Sequence, residues 1–345
     1  MPVDALSTFI AALPKAELHV HLVGSAPVDT VLALARRHPD RGVPVEESEL
    51  RRFYEFTDFA HFIDVYIAVN SLVRTAADVE DLIVGVARGL STQNVRYAEL
   101  TVTPDSHLLM GIEPDGIAEA LTNGRRRAVD DHGVALRWVY DIPGELGLES
   151  GERTIDWVER FAPAGSVGFG LGGPEIGVPR PQFTEVFARA RALGLASVPH
   201  AGETTGPQTI RDAIADLGAV RIGHGIAAAQ DPELMHYLAE HDIALEVCPT
   251  SNVCTRAVAS LAEHPFPVLR AAGVPLTLAS DDPGMFDTTL DAEYVIAGTT
   301  FGLTHGELAD LAMAGVRYSF ADDVTKSSLS AEIDAVVAIQ SAAGR

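Results

Sequence analysis

With 345 residues, 47% of them hydrophobic and 21% charged, the chain is long enough for one large core and ordinary in composition for a soluble globular protein. Lys plus Arg number 25 against 48 Asp plus Glu, giving a net charge of −23 and a pI near 4.8; this field repels phosphate backbones and anionic surfaces, so neither nucleic acid nor membrane is an expected partner. The only cysteines, Cys248 and Cys254, make no disulfide framework, no uncharged apolar run reaches about 18 residues, and the amino terminus lacks a basic stretch before an apolar one, so a reducing, cytoplasmic setting is expected.

In chain order, a strand-like apolar run is followed repeatedly by a helix-like amphipathic one. The runs are 17–22, 95–103, 136–142, 167–172, 196–201, 220–225, 243–249 and 275–281. Between them, stretches such as 181–193, 208–217, 232–240 and 266–272 repeat apolar residues at spacings near three and four. Strands alternating with helices predict βαβ units and a parallel sheet, and eight such units close a (β/α)8 barrel. The expected fold is therefore α/β, a single TIM-barrel domain over residues 1–345.

The first connection, about 23–94, is far longer than a crossover needs. It predicts a helical insertion, with a helix over 56–72 and a cluster of aromatics: Phe53, Tyr54, Phe56, Phe59, Phe62 and Tyr66. Placed after strand one, it sits over the carboxyl ends of the strands, where barrel active sites lie, and is read as a lid that excludes water. Simple packing on the barrel wall is the alternative for most of those aromatics. After the eighth strand, 290–318 and 331–340 read as extra terminal helices.

The strand ends carry the chemistry. In the first strand His19 and His21 point the same way, about 6–7 Å apart, as a metal-gripping pair or as two buried core histidines. The fifth run ends in His200 followed by Glu203, the sixth in His224, and the eighth in Asp281 and Asp282. Alone, either aspartate would more often be a helix cap. Four polar endings on one face of a barrel are hard to attribute to capping, and three imidazoles with a carboxylate suit one zinc ion with room for a bound water.

The segments LPKAELHVHLVGS, GLGGPE, HAGE, RIGHG, EVCPTSN and SDDP occur in this order across nearly the whole chain. Together they resemble the adenosine deaminase family of zinc-dependent amidohydrolases. The resemblance implies hydrolytic deamination of a small-molecule purine nucleoside, adenosine or a 5′-modified adenosine such as aminodeoxyfutalosine. It implies that His19, His21, His200 and Asp281 hold one zinc per chain, whose water becomes a hydroxide near neutral pH. It further implies that Glu203 protonates ring nitrogen 1 and that His224 orients and deprotonates the water. Asp282 would meet nitrogen 7, and the backbone N–H of Gly173 nitrogen 3. Glu203, in an enclosed site, can hold its proton at pH 7 through desolvation.

The chain departs from that family at four positions. Val23 replaces the Asp that usually contacts the ribose 5′-hydroxyl, or the Glu of the adenine-specific branch. An aliphatic group cannot accept that bond, so a bulky or apolar 5′ substituent is expected beside Val23. Pro174, Thr101 and Gly170 stand where relatives often carry Asp, Arg and Asp. Alternative readings are adenine deamination, other amidohydrolase chemistry on the same metal, and a non-catalytic binding protein. The placement of Glu203 and Asp282 favours a protonatable ring over a plain carbonyl. Pro-Cys-x-x-Cys, without which the signature of the other zinc deaminases is incomplete, is absent. Arg125–Arg127 read as a solvated helix face, and of the remaining histidines, none of which is assigned a role, His61 is singled out because it lies in the suspected lid.

Overall fold

The computed structural model describes residues 3–343. Eight parallel strands stand in a ring: β1 (Lys15–His21), β2 (Val95–Val102), β3 (Ala135–Pro143), β4 (Ser166–Gly172), β5 (Ala196–Ser197, then His200–Ala201), β6 (Arg221–His224), β7 (Ala244–Val247) and β8 (Leu276–Leu278). The ring closes just past β8, where the Asp281 N–H donates to the His19 carbonyl and the His21 N–H to the Asp281 carbonyl, both at 3.0 Å. Helices cover the outside, as in a TIM barrel. Ring contacts join the two layers: Tyr140 lies 5.4 Å from Trp157 and Phe169 5.1 Å from Phe187.

The fifth run was expected as one strand over 196–201 and is broken at 198–199. Pro199 has no N–H to give the ladder. Pairing continues around it, with the Val198 N–H donating to the Phe169 carbonyl at 2.9 Å and the Gly223 N–H to the Pro199 carbonyl at 3.0 Å.

Charged side chains fill the barrel's lower interior, each satisfied. Glu17 accepts from the Ser280 N–H and hydroxyl, at 3.2 and 3.0 Å. Arg221 bridges Glu99 and Glu246, and all three are buried. Arg221 also donates to the Tyr318 carbonyl at 2.7 Å, while the Phe320 N–H donates to Glu99 at 2.6 Å. The segment after the helix His305–Tyr318 thus plugs the amino-terminal end of the barrel. Chemistry is confined to the other end.

The first connection holds helices Val28–Arg37, Glu47–Phe53, Phe59–Asn70 and Ala76–Ser91. The last packs on β2 and on the helix Pro114–His132, as a barrel crossover helix does. The helix expected over 56–72 is shorter, Phe59–Asn70, because the Asp58 carboxylate accepts the His61 N–H at 2.9 Å and caps its start. The stretch 290–318 is two helices, Leu290–Thr299 and His305–Tyr318. Gly302, with φ +76°, turns the chain between them, and Thr304 and Glu307 form a capping box that starts the second. The run 331–340 lies inside a longer helix, Asp323–Ala343. Among the described residues, no helix is long and apolar enough to cross a membrane.

Candidate active site

The alternation of β1 turns Glu17, His19 and His21 into the barrel. His19 donates from Nδ1 to Glu246 Oε2 at 2.8 Å, leaving its Nε2 3.4 Å from Asp281 Oδ1. His21 Nε2 stands 3.1 Å from His200 Nε2 and 3.3 Å from Asp281 Oδ1. Donor atoms of His19, His200, His224 and Asp281 all lie within 4.8 Å of one another. Buried with no hydrogen-bond partner are His19 Nε2 and His200 Nδ1. Two ligands of a tetrahedral ion with bonds of about 2.0–2.1 Å stand roughly 3.3 Å apart. The pairs His21–His200, His21–Asp281 and His19–Asp281 stand 3.1, 3.3 and 3.4 Å apart, whereas His224 Nε2 is 3.8 Å from Asp281 Oδ2. The residues fit one tetrahedrally disposed metal.

Two residues here adopt left-handed backbone conformations that side chains rarely take, His224 at φ +58° and Asp281 at φ +65°. The bridge to β1 holds Asp281 in place, and Ser251 donates its hydroxyl to Oδ2 at 2.6 Å. Burial alone would raise the Asp281 carboxyl, but His19 and His21 hold it well below the usual range. Asp282 is pushed up to about 8 by burial and by the charge of Asp281. It fits only because residue 24 is glycine: a Cβ there would collide with the Asp282 carboxylate.

Burial, then the charges of Asp281 and Glu175, pushes Glu203 up to about 8, so it holds a proton at neutral pH. Its Oε2 lies 3.7 Å from His224 Nε2, and its Oε1 lies 3.0 Å from the Thr255 hydroxyl. Glu175 accepts the backbone N–H groups of Gly202 and Glu203 at 3.0 and 2.8 Å, fixing the loop that presents Glu203.

One cavity opens over these groups, lined by His21, His200, Glu203, His224, Asp281, Asp282 and Gly173. The helix Phe59–Asn70 supplies an apolar wall of Phe59, Phe62, Ile63, Tyr66 and Ile67, and Thr103, Ser106, Asp141 and Glu145 line it as well. Of the expected lid aromatics, Phe53, Tyr54 and Phe56 do not line it. Phe56 packs instead on Phe286 at 5.7 Å, and Phe62, which lines the cavity, packs on the same ring at 5.0 Å. His61 also stays outside the cavity and accepts the Thr57 N–H at 3.2 Å.

Val23 was expected beside the substrate. The chain turns directly after His21 and carries Val23 into the apolar core, 4% exposed and away from the cavity lining. Gly170 gains an account: a Cβ there would stand 2.7 Å from Asp141 Oδ1, so the carboxylate occupying that space comes from β3 instead. Glu17, Glu175, Glu246, Ser251 and Asn252 received no role from sequence reasoning. All five sit in motifs already singled out, Glu246 as the first residue of EVCPTSN, where it interrupts an apolar strand.

Residues 14–336 match the family model described as adenosine deaminase. The chain belongs to the adenosine deaminase family. As a member it is a hydrolytic deaminase on the barrel of the metal-dependent amidohydrolases. It is 55% identical over 335 residues to the aminodeoxyfutalosine deaminase of Streptomyces avermitilis, covering 96% of this chain and 94% of that one. Among solved structures it resembles the adenine deaminase of Arthrobacter aurescens, with a TM-score of 0.89 and 31% identity over 94% of this chain and 99% of that one. A zinc-bound amidohydrolase from Burkholderia ambifaria gives the same TM-score at 26% identity, over 99% and 96% of the two chains. The family relationship accounts for the convergence of HVH, HAGE, GHG and SDDP on one cavity.

Proposed function

We propose that this chain hydrolyses the 6-amino group of an adenine nucleoside bearing an extended 5′ substituent, with aminodeoxyfutalosine as the leading candidate, in the cytoplasm. The observation that carries the reaction is the enclosed Glu203 carboxyl, 3.7 Å from His224 Nε2, beside a cluster of histidines and Asp281 at a single cavity. The 5′ extension is supported by the aromatic and aliphatic wall from Phe59–Asn70, and by the Streptomyces relative. It no longer draws on Val23.

His19, His21, His200 and Asp281 would hold one zinc ion. Zinc bound there supplies the Lewis acidity that makes water a usable nucleophile at neutral pH. Addition of water at carbon 6 breaks the aromaticity of the purine, so the ring must accept the electrons. Glu203 meets that need by handing its proton to ring nitrogen 1. Asp282, also protonated at neutral pH, donates to nitrogen 7, which can only accept. The Gly173 N–H faces nitrogen 3, and His224 orients the attacking water. Phe59, Phe62 and Tyr66 close over the ring and keep bulk water out. Loss of ammonia then leaves the 6-oxopurine.

The test is a kinetic panel on zinc-loaded protein with aminodeoxyfutalosine, adenosine and adenine. We expect kcat/KM for the 5′-extended nucleoside to exceed that for adenosine by about tenfold or more, with adenine lowest. Adenine or adenosine far ahead would overturn the substrate assignment.

A further inference from the structure

We propose that Asn252 and His264 are positioning residues that fix the tautomer of His224, placing its proton on Nε2 and facing it into the cavity as a hydrogen-bond donor. The argument starts from a group that can act in only one way. The backbone N–H of Phe266 can only donate, and it meets His264 Nδ1 at 3.1 Å. That nitrogen therefore accepts, and the proton of the neutral ring sits on Nε2. Burial pushes His264 down to about 4, which keeps the ring neutral at physiological pH.

His264 Nε2 lies 3.2 Å from Asn252 Oδ1, so the amide oxygen accepts there. The other end of the amide is then its NH2, which can only donate, and it stands 3.2 Å from His224 Nδ1. Turning the amide around would set its NH2 against the Nε2–H of His264. His224 Nδ1 must accept, which leaves the proton on Nε2. Every side chain in this chain of bonds is buried, so water cannot replace a link. The Nε2–H points to Glu203 Oε2 at 3.7 Å and to Asp281 Oδ2 at 3.8 Å.

His19 is set the opposite way. In the zinc-loaded protein it gives its Nδ1–H to Glu246 at 2.8 Å, so that Nε2 is the nitrogen it can offer to the metal. The two rings, with centroids 4.8 Å apart, are thus held in opposite tautomers by residues that never reach the cavity. A ring with its proton on Nε2 has no lone pair there for a metal. His224 is a donor in the cavity, neither a ligand nor a base in its resting form. The value of this placement to turnover rests on the deaminase reading above; the tautomer itself does not.

The test uses the zinc-loaded full chain labelled with 15N-histidine, read by two-bond 15N–1H correlation, with signals assigned from H224Q and H264Q. Both His224 and His264 are expected to be neutral with the proton on Nε2. In N252L, His224 is expected to populate the Nδ1–H form, with kcat reduced about tenfold or more and KM within about twofold. A change in general stability would leave the tautomer where it is. A wild-type His224 protonated on Nδ1, or an N252L protein with unchanged kcat, overturns the proposal. If no nucleoside is turned over while His224 still carries its proton on Nε2, the substrate reading falls and the tautomer assignment stands.

Discussion

Glu246 serves two neighbours with one carboxylate, accepting from Arg221 Nε at 2.5 Å and from His19 Nδ1 at 2.8 Å. Burial alone would raise it, yet Arg221 and His19 hold it below the usual carboxylate range, so it stays ionised and orients His19. Replacing it by glutamine keeps the shape and an acceptor for His19 but removes the charge. For E246Q we expect metal affinity to fall about 10–100-fold, measured by competition with a chelator; unchanged affinity would show that His19 needs no charged partner. The residues proposed to meet substrate or metal were legible in the sequence because they end strands: His19, His21, His200, Glu203, His224, Asp281 and Asp282. Glu17, Glu175, Glu246 and Asn252 were not, because each acts on another side chain or loop far away in the chain. Glu246 and His19 are 227 positions apart, and only ring closure brings β7 and β1 within reach.

At the scale of elements, the cavity-wall helix Phe59–Asn70 is anchored at its first turn by Asp58 and through Phe62 by Phe286. Losing an N-cap costs about 1 kcal/mol of local helix stability, and this helix contributes a cavity wall rather than the barrel core. D58A is therefore expected to raise KM for a 5′-extended nucleoside severalfold while leaving kcat and Tm nearly unchanged. A fall in kcat alone would place Asp58's effect in the chemistry instead. The eight strands could be read from apolar runs, because both faces of a parallel strand are covered. Boundaries were less legible where one residue overrides a pattern: Pro199 breaks β5, Asp58 delays the lid helix, and Gly302 divides the terminal helix.

For the molecule as a whole, ring closure and the candidate metal site share one residue, Asp281. Asp281 bonds to β1 through its backbone while its side chain faces the histidines. Several buried carboxyls crowd that end, so a cation bound there offsets their mutual repulsion and couples to the stability of the entire barrel. Removing metal with a chelator is expected to lower Tm by roughly 5–10 °C, with recovery on adding zinc. An unchanged Tm would mean that the barrel closes without help from the ion.

The most direct measurement is ammonia release from wild-type protein and E203Q, at equal zinc content and saturating 5′-extended nucleoside. Glutamine fills the same space but cannot hand over a carboxylic proton, so the account predicts one ammonia per 6-oxopurine from the wild type and a rate about 10²–10⁴-fold lower from E203Q. Comparable rates from the two proteins would contradict it, because the proton at ring nitrogen 1 would then come from somewhere else.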